Sequence, residues 1–198
     1  MTSTAPRMAG AERRVHLIET AIRLFTEGSY RGTTTAEIAR AAGVSEPILY
    51  RHFASKRDLY LAALEHVWAK AREAWERTLG RAPDACGAIE AIGKGHVSVR
   101  SPKLQLAELW VQALGEAPED PRLRRYLCRH MREVHDFVAD LVRRGQAEGT
   151  ISPERDADAE AWILLAGGVL SLVGRRVGLL DERELEAIRA ARLARLRS

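Results

Sequence analysis

The segment Thr34-Thr35-Ala36-Glu37-Ile38-Ala39-Arg40-Ala41-Ala42-Gly43-Val44-Ser45-Glu46-Pro47-Ile48-Leu49-Tyr50-Arg51-His52-Phe53 decides the reading of this chain. Thr34 and Glu37 stand at the spacing of a capping box, in which each side chain satisfies the other's free backbone N–H. That predicts a helix over 35–42. Gly43 closes it, because a tight turn often takes a positive φ that glycine adopts freely. Ser45 is a candidate N-cap for a second short helix over 46–52, and Pro47 falls in its first turn, where proline is tolerated. Ala39, Ala42, Val44 and Leu49 are small or apolar where the two helices must pack closely. Ile38 and Phe53 are placed to close a core against a preceding helix. These are the proportions of a helix-turn-helix, a pattern that small helical bundles share.

On the N-terminal side, Leu17, Ile18, Ala21, Leu24 and Phe25 recur at three and four and predict an amphipathic helix over 12–27, with Gly28 at its C-terminal cap. Residues 1–11 carry no periodicity and read as a flexible arm. On the C-terminal side, Ser55 and Asp58 form a second capping box ahead of a long helix over 56–79, with Leu61, Leu64, Trp68, Ala71 and Trp75 along one face. Past a break at Pro83, helices are predicted over 85–99 and 103–114, followed by a loop over 115–121. The next helix covers 122–147, with a seam of Leu127, Met131, Val134, Val138 and Leu141, and Gly149 and Pro153 end it. The last two cover 157–179 and 182–196. No segment alternates like a strand, so the expected fold class is all-α with about nine helices.

Composition agrees. The chain has 198 residues, 46% hydrophobic and 29% charged, enough to bury a core. Two cysteines, Cys86 and Cys128, exclude a disulfide framework or a multi-cysteine zinc module and read as buried thiols. His130 and His135 lie five apart, on different sides of a helix, so no metal site is expected. There is no Gly-rich phosphate loop, nucleophile elbow or HExxH pattern, so neither catalysis nor a cofactor is expected. The apolar run Ala161 to Gly174 is short for a membrane span and reads as a buried helix. The acidic stretch Glu154–Glu160 reads as the solvated opening of a helix. Without an apolar segment near the N-terminus to act as a secretory signal, a cytoplasmic location is expected. Arginine and alanine dominate over lysine, which points to a high-GC bacterial source.

Net charge is +4, and residues 1–60 hold nine Arg/Lys against six Asp/Glu. Most of the excess therefore lies in the first third, which hints at a polyanion partner. Three helices begin there, at Thr34, Ser45 and Ser55, and helix N-termini suit phosphate. Thr33, Thr34, Thr35, Tyr50, His52 and Lys56 are credible phosphate donors. Capping accounts equally for Thr34 and Ser55, a core ring for Tyr50 and a solvated side chain for His52.

The run Leu24-Phe25, Gly28-Ser29-Tyr30-Arg31-Gly32-Thr33-Thr34-Thr35, Ile38-Ala39, Ala42-Gly43-Val44-Ser45, Leu49-Tyr50, His52-Phe53, Ser55-Lys56 and Leu59 closely resembles the DNA-binding domain of the TetR/AcrR family of transcriptional regulators. The resemblance covers about residues 12–60; the remainder is similar only in helix number, length and order. It implies a three-helix DNA-binding domain over 12–60 and a helical ligand-binding and dimerisation domain over 61–198. It further implies a homodimer through the last two helices, 157–179 and 182–196, that binds a palindromic double-stranded DNA operator. Most such proteins are repressors released by a small molecule. An activator, a ligand-independent DNA binder and a helical interaction module without DNA binding are the alternatives.

By position, Glu46, Pro47, Ile48 and Tyr50 match residues that meet bases or the adjoining backbone. Tyr50, His52 and Lys56 match phosphate contacts, with Ser45 opening the recognition helix, and Thr34 and Thr35 match further backbone contacts. Glu46 has two readings, acceptor from a cytosine amino group or helix-dipole residue pointing away. Ile48 reads as a thymine-methyl contact or as core.

Trp68, Trp75, His96, Trp110, Tyr126, Met131 and Trp162 are candidate ligand-pocket liners, with Gln105, Glu108 and Gln112 as polar contacts; ordinary core packing is the competing reading for each apolar one. Gly167, Gly168 and Gly174 fit a close helix crossing at a dimer interface or within the monomer, and Leu185, Ile188 and Leu196 are candidate dimer contacts. The long helix over 56–79 joins the two expected domains, so a ligand against its far end would tilt it and change recognition-helix spacing.

Overall fold

The computed structural model describes residues 10–94 and 102–198. Among them are nine helices and no strand: α1 Gly10–Glu27, α2 Thr35–Ala41, α3 Glu46–His52, α4 Lys56–Leu79, α5 Ala85–Lys94, α6 Pro102–Glu116, α7 Pro121–Ala147, α8 Ala157–Arg176 and α9 Glu182–Arg197. Helix α1 begins at Gly10, so residues 10 and 11 belong to it rather than to an arm. The end expected for the helix beginning at 85 falls outside the described residues, as does His96. The chain divides into two compact units, residues 1–71 with 98–124 and residues 72–97 with 125–198. The first takes in α6 as well as the helix-turn-helix region.

In the first unit, Leu17, Ala21 and Phe25 of α1, Ile38 of α2, Leu49 of α3 and Leu59 and Leu64 of α4 are all buried, and α2 packs on both α1 and α3. Phe53 closes this core from the end of α3, as its position predicts. The turn between α2 and α3 is a Schellman motif: Val44 N donates to Ala39 O at 2.9 Å and Gly43 N to Arg40 O at 3.1 Å. It needs a left-handed residue at position 43, and Gly43 has φ +69°. Gly28 acts differently from a left-handed cap. A Cβ there would lie 3.1 Å from Leu24 O and 3.3 Å from Thr33 Oγ1, a tight fit that favours glycine.

Helix α6 packs on α1 in the same unit. Its Leu109 is fully buried, and Leu109 O accepts a 2.6 Å hydrogen bond from the buried Tyr60 phenol of α4. Tyr60 also meets Phe25 edge-on at 5.0 Å and Tyr30 at 4.6 Å between ring centroids.

In the second unit, Cys86 and Ile89 of α5, Leu141 and Val142 of α7, Ile151, Leu164 of α8 and Leu196 of α9 form the core. Cys86 is buried as expected, whereas Cys128 lies exposed on α7. Glu160, expected at a solvated helix opening, is 3% exposed, with its carboxylate 3.0 Å from Arg195 and 3.9 Å from Arg155. The preceding acid Asp156 does cap α8, accepting from Ala159 N at 2.8 Å. Helix α8 stops at Arg176, short of 179, because Gly178 at φ +67° opens another Schellman turn. Gly167 lies under the Arg192 guanidinium, which donates to Leu164 O at 2.7 Å; a Cβ there would clash. Gly174 meets Leu180 in the same way, while Gly168 faces open space.

Helix α8 is not the buried helix expected. Trp162, Ile163, Val169, Leu170 and Val173 are all exposed on it, as is Val177 at its C-cap. By length and composition it is apolar enough to cross a membrane, since the apolar stretch extends past the run read from sequence. Conversely, Leu185 and Leu196 of α9, expected at a dimer contact, are each 1% exposed, and Leu196 belongs to the core cluster of the second unit. Ile188 is half-buried.

Candidate nucleic-acid interface

The interface is built on α2 and α3, held by the Schellman turn and the shared core beneath them. Ser45, Pro47 and Tyr50 of this segment are exposed; Glu46, Ile48 and His52 are half-buried. Tyr50, with 47% of its surface exposed, is therefore not a core ring. Leu49 alone of α3 is fully inward. This is the disposition of a helix that anchors on one side and presents the other.

Hydrogen-bond directions refine the expected donors. Thr33 is buried, and its hydroxyl turns inward to Leu24 O at 3.3 Å, which removes it from the phosphate set. Thr34 makes the full capping box: its Oγ1 accepts from Glu37 N at 3.2 Å, and Glu37 Oε2 accepts from Thr34 N at 2.8 Å. The Thr34 hydroxyl also donates to Glu37 at 2.9 Å. These bonds hold the Glu37 carboxyl below its usual pKa. Ser45 occupies the N-cap of α3 by backbone conformation but makes no side-chain cap bond. At Ser55 the box is half made: the hydroxyl accepts from Asp58 N at 3.1 Å and donates to Asp58 Oδ2 at 2.7 Å.

Thr35 opens α2 and Glu46 opens α3, and the turn brings them together. The Thr35 hydroxyl lies 2.5 Å from Glu46 Oε1, to which it donates, and 3.1 Å from the Tyr50 phenol oxygen. Lys56, at the start of α4, reaches Arg31 O at 3.5 Å and lies 4.7 Å from the Tyr30 ring centroid. Burial lowers its pKa, opposed by Glu116 and Glu37.

A set of contacts without a local sequence signal ties the loop after α1 to α6, and the start of α4 to the segment that follows α6. Gln112 Oε1 accepts from Tyr30 N and Gln112 Nε2 donates to Phe25 O, both at 2.9 Å. Arg31 pairs with Glu116 at 2.7 Å, Arg57 with Asp120 at 2.9 Å and Arg122 with Asp58 at 2.9 Å. Gln112 is thus engaged in bracing the DNA-binding bundle, not free for a ligand as expected. Only pairings across some eighty residues reveal it, and no local spacing signals them.

The chain belongs to the TetR family of bacterial transcriptional regulators. The family's N-terminal model, described as bacterial regulatory proteins of the tetR family, matches residues 17–63. A second, described as BetI-type transcriptional repressor, C-terminal, matches residues 89–170. The transcriptional repressor KstR2 of Mycobacterium tuberculosis is 28% identical over 162 residues, covering 77% of this chain and 76% of that protein. The transcriptional activator FasR of Mycolicibacterium smegmatis is 47% identical over 62 residues, which span 31% of this chain and only 28% of FasR. A TetR regulator of Chloroflexus aurantiacus superposes with TM-score 0.75 at 27% identity, covering 93% of this chain and 94% of that one. The protein is therefore a DNA-binding regulator and not an enzyme. Regulators of this family bind DNA and small-molecule effectors and act as dimers.

Trp68 and Trp110 lie in the first unit, and Trp75, Tyr126, Met131 and Trp162 in the second. Trp75 packs on Phe137 at 5.5 Å and Tyr126 on His130 at 6.0 Å between ring centroids. Met131 is half-buried. Trp162 is not an enclosed liner: it is 40% exposed, stacked on the buried His135 with the Arg132 guanidinium 5.6 Å from its ring centroid. Trp110 Nε1, on α6, is buried without a hydrogen-bond partner among the described residues.

Proposed function

We propose that this protein is a dimeric, cytoplasmic repressor that binds a palindromic operator and is released by a small-molecule effector. The carrying observation is the bare apolar face of α8, with Val169, Leu170, Val173 and Val177 exposed beside Gly168. Patches of this kind mark interaction surfaces, and glycine lets a second helix approach closely. A second copy seated there gives a two-fold pair, and two recognition helices related by a two-fold read a palindrome. The inward direction of Leu185 and Leu196 assigns α9 a supporting part.

Within the DNA-binding unit, Ser45, Glu46, Pro47, Ile48 and Tyr50 face the major groove, and His52 and Lys56 serve phosphates. Thr34 and Thr35 support them from α2. Release is supported by the braces from α6: Gln112 and Glu116 hold the loop after α1, so an effector that displaces α6 must disturb the recognition unit. The unpartnered Trp110 Nε1 offers that effector one hydrogen bond. Trp68 in the first unit, and Trp75, Tyr126 and Met131 in the second, remain candidate apolar contacts, each taken within its own unit. Repression rather than activation is supported by KstR2, whose similarity extends through the C-terminal part, whereas that of FasR covers 62 residues.

Selection of bound sequences from a random DNA library, with sedimentation of wild type and Val173→Arg, tests the reading. A palindromic motif bound by a dimer, and loss of both with Val173→Arg, are the expected results. A folded wild-type monomer, or a dimer that selects no motif with or without cell extract, overturns it.

A further inference from the structure

The hydroxyl of Thr35 stands between two of the groups expected to meet DNA. A threonine hydroxyl has one proton and two lone pairs. It donates that proton to Glu46 Oε1 at 2.5 Å, so it can only accept from Tyr50, whose oxygen lies at 3.1 Å. The phenol proton therefore points inward, to Thr35. The order Tyr50 to Thr35 to Glu46 ends on a carboxylate, which only accepts. Thr35 is buried while the Tyr50 ring is exposed, so the chain runs from the surface of α3 through its root and back to its first residue. Glu46 Oε2 makes no hydrogen bond among the described residues.

We infer that Tyr50 and Thr35 are positioning residues that fix the Glu46 carboxylate, and that Glu46 uses its second oxygen to read a cytosine amino group in the major groove. This rests on the DNA-binding reading above and deepens it. A free glutamate on a seven-residue recognition helix would swing away from nearby phosphates, which repel it. Anchored at one oxygen by a buried hydroxyl, it stays at the helix opening. Of the base edges in the major groove, cytosine N4 offers a donor without an adjacent acceptor, and carboxylates pair with it. The consequence for Tyr50 is specific: its phenol acts on base preference, not as a donor to phosphate.

The test is library selection, followed by binding to every single-base variant of the selected site, with wild type, Glu46→Gln, Tyr50→Phe, Thr35→Val and Thr35→Ser. Wild type should prefer C at one pair in each half-site by about five-fold or more. Glu46→Gln should move that pair toward A, because a carboxamide pairs with adenine N6 and N7. Tyr50→Phe and Thr35→Val should each flatten discrimination at the same pair about three- to ten-fold, leave the other positions unchanged and be matched by preserved helicity. Thr35→Ser, which keeps the hydroxyl, should retain the preference. An identical motif for Glu46→Gln overturns the assignment. So does a Tyr50→Phe protein that loses affinity equally on all sequences, which is the behaviour of a phosphate donor. A folded wild-type dimer that selects no motif overturns the underlying DNA-binding reading, and the relay with it.

Discussion

Replacing Tyr60 by Phe removes one oxygen from the centre of the first unit and keeps the ring. The Tyr60 phenol is fully buried and donates to Leu109 O at 2.6 Å, joining α4 to α6. Leu109 O lies inside α6, where it also accepts the helical bond, so the substitution orphans no carbonyl. The loss is then that of an ordinary buried hydrogen bond, about 1 kcal/mol. For a chain of this length that lowers Tm by about 2–4 °C. Contacts to Phe25 and Tyr30 remain, which keeps the cost at the low end.

The alkaline behaviour provides a second, independent reading. Burial raises the Tyr60 pKa well above the ordinary value of 10.0. The folded state therefore keeps the proton while the unfolded chain releases it, and stability falls as pH rises past the unfolded value. At about pH 11 a phenol that ionises near 10 only when unfolded weakens the fold by about 1.4 kcal/mol. Tyr60→Phe escapes that loss. Its deficit at neutral pH should shrink and close near pH 11, even though Tyr30, also raised by burial, still titrates in both proteins. Thermal and denaturant unfolding at one protein concentration, at about pH 7, 9 and 11, gives the comparison, since a dimer's Tm depends on concentration. A variant as stable as wild type at neutral pH, or a deficit unchanged at alkaline pH, refutes the reasoning.

Gly145→Ala should destabilise by about 1–3 kcal/mol, because its Cβ would lie 2.5 Å from Ile151 Cδ1, and Ile151 is buried and cannot give way; a Tm within 1 °C of wild type would contradict this, and Ile151→Val should restore part of the loss. Gln112→Leu should cost about 1–3 kcal/mol by leaving Tyr30 N and Phe25 O without their partner. Gln112→Glu should be no better at neutral pH, since its carboxylate would face Phe25 O and Glu108, and equal or greater stability than wild type in unfolding curves would count against the brace. Lys56→Ala should weaken binding to all operators alike and reduce the slope of log affinity against log salt by about one; an unchanged slope removes Lys56 from the phosphate set.

The helix-turn-helix was legible because each of its parts is a local rule. Thr34 and Glu37 fit a capping box, Gly43 fits a left-handed turn, and both are found where those spacings place them. Ser45 shows the limit of such rules, for it holds the N-cap position without the side-chain bond. Gly178 was equally readable as a helix stop, but the apolar Leu179 and Leu180 beyond it extend the periodic pattern and hide the end of α8. Nothing local signals the burial of Glu160, because its partners Arg155 and Arg195 approach from outside the helix, one of them thirty-five residues away.

Periodicity says least about direction. An apolar stripe announces that a helix face is covered, not what covers it. Trp162, Val169, Val173 and Val177 do form one stripe on α8, yet their own chain leaves them exposed, while Leu185 and Leu196 on the less apolar α9 turn inward. The sequence cue that separates the two is what stands opposite. Helix α9 carries Arg192 and Arg195, which bond to Leu164 O and Glu160 on the flank of α8, and Gly167 makes room for the first of them. Those polar contacts seat α9 against one side of α8 and leave the other side bare. A helix held by polar contacts on one flank and left apolar on the other is the observation behind the proposed pairing, which is why the proposed dimer and the proposed palindrome are tested together at Val173.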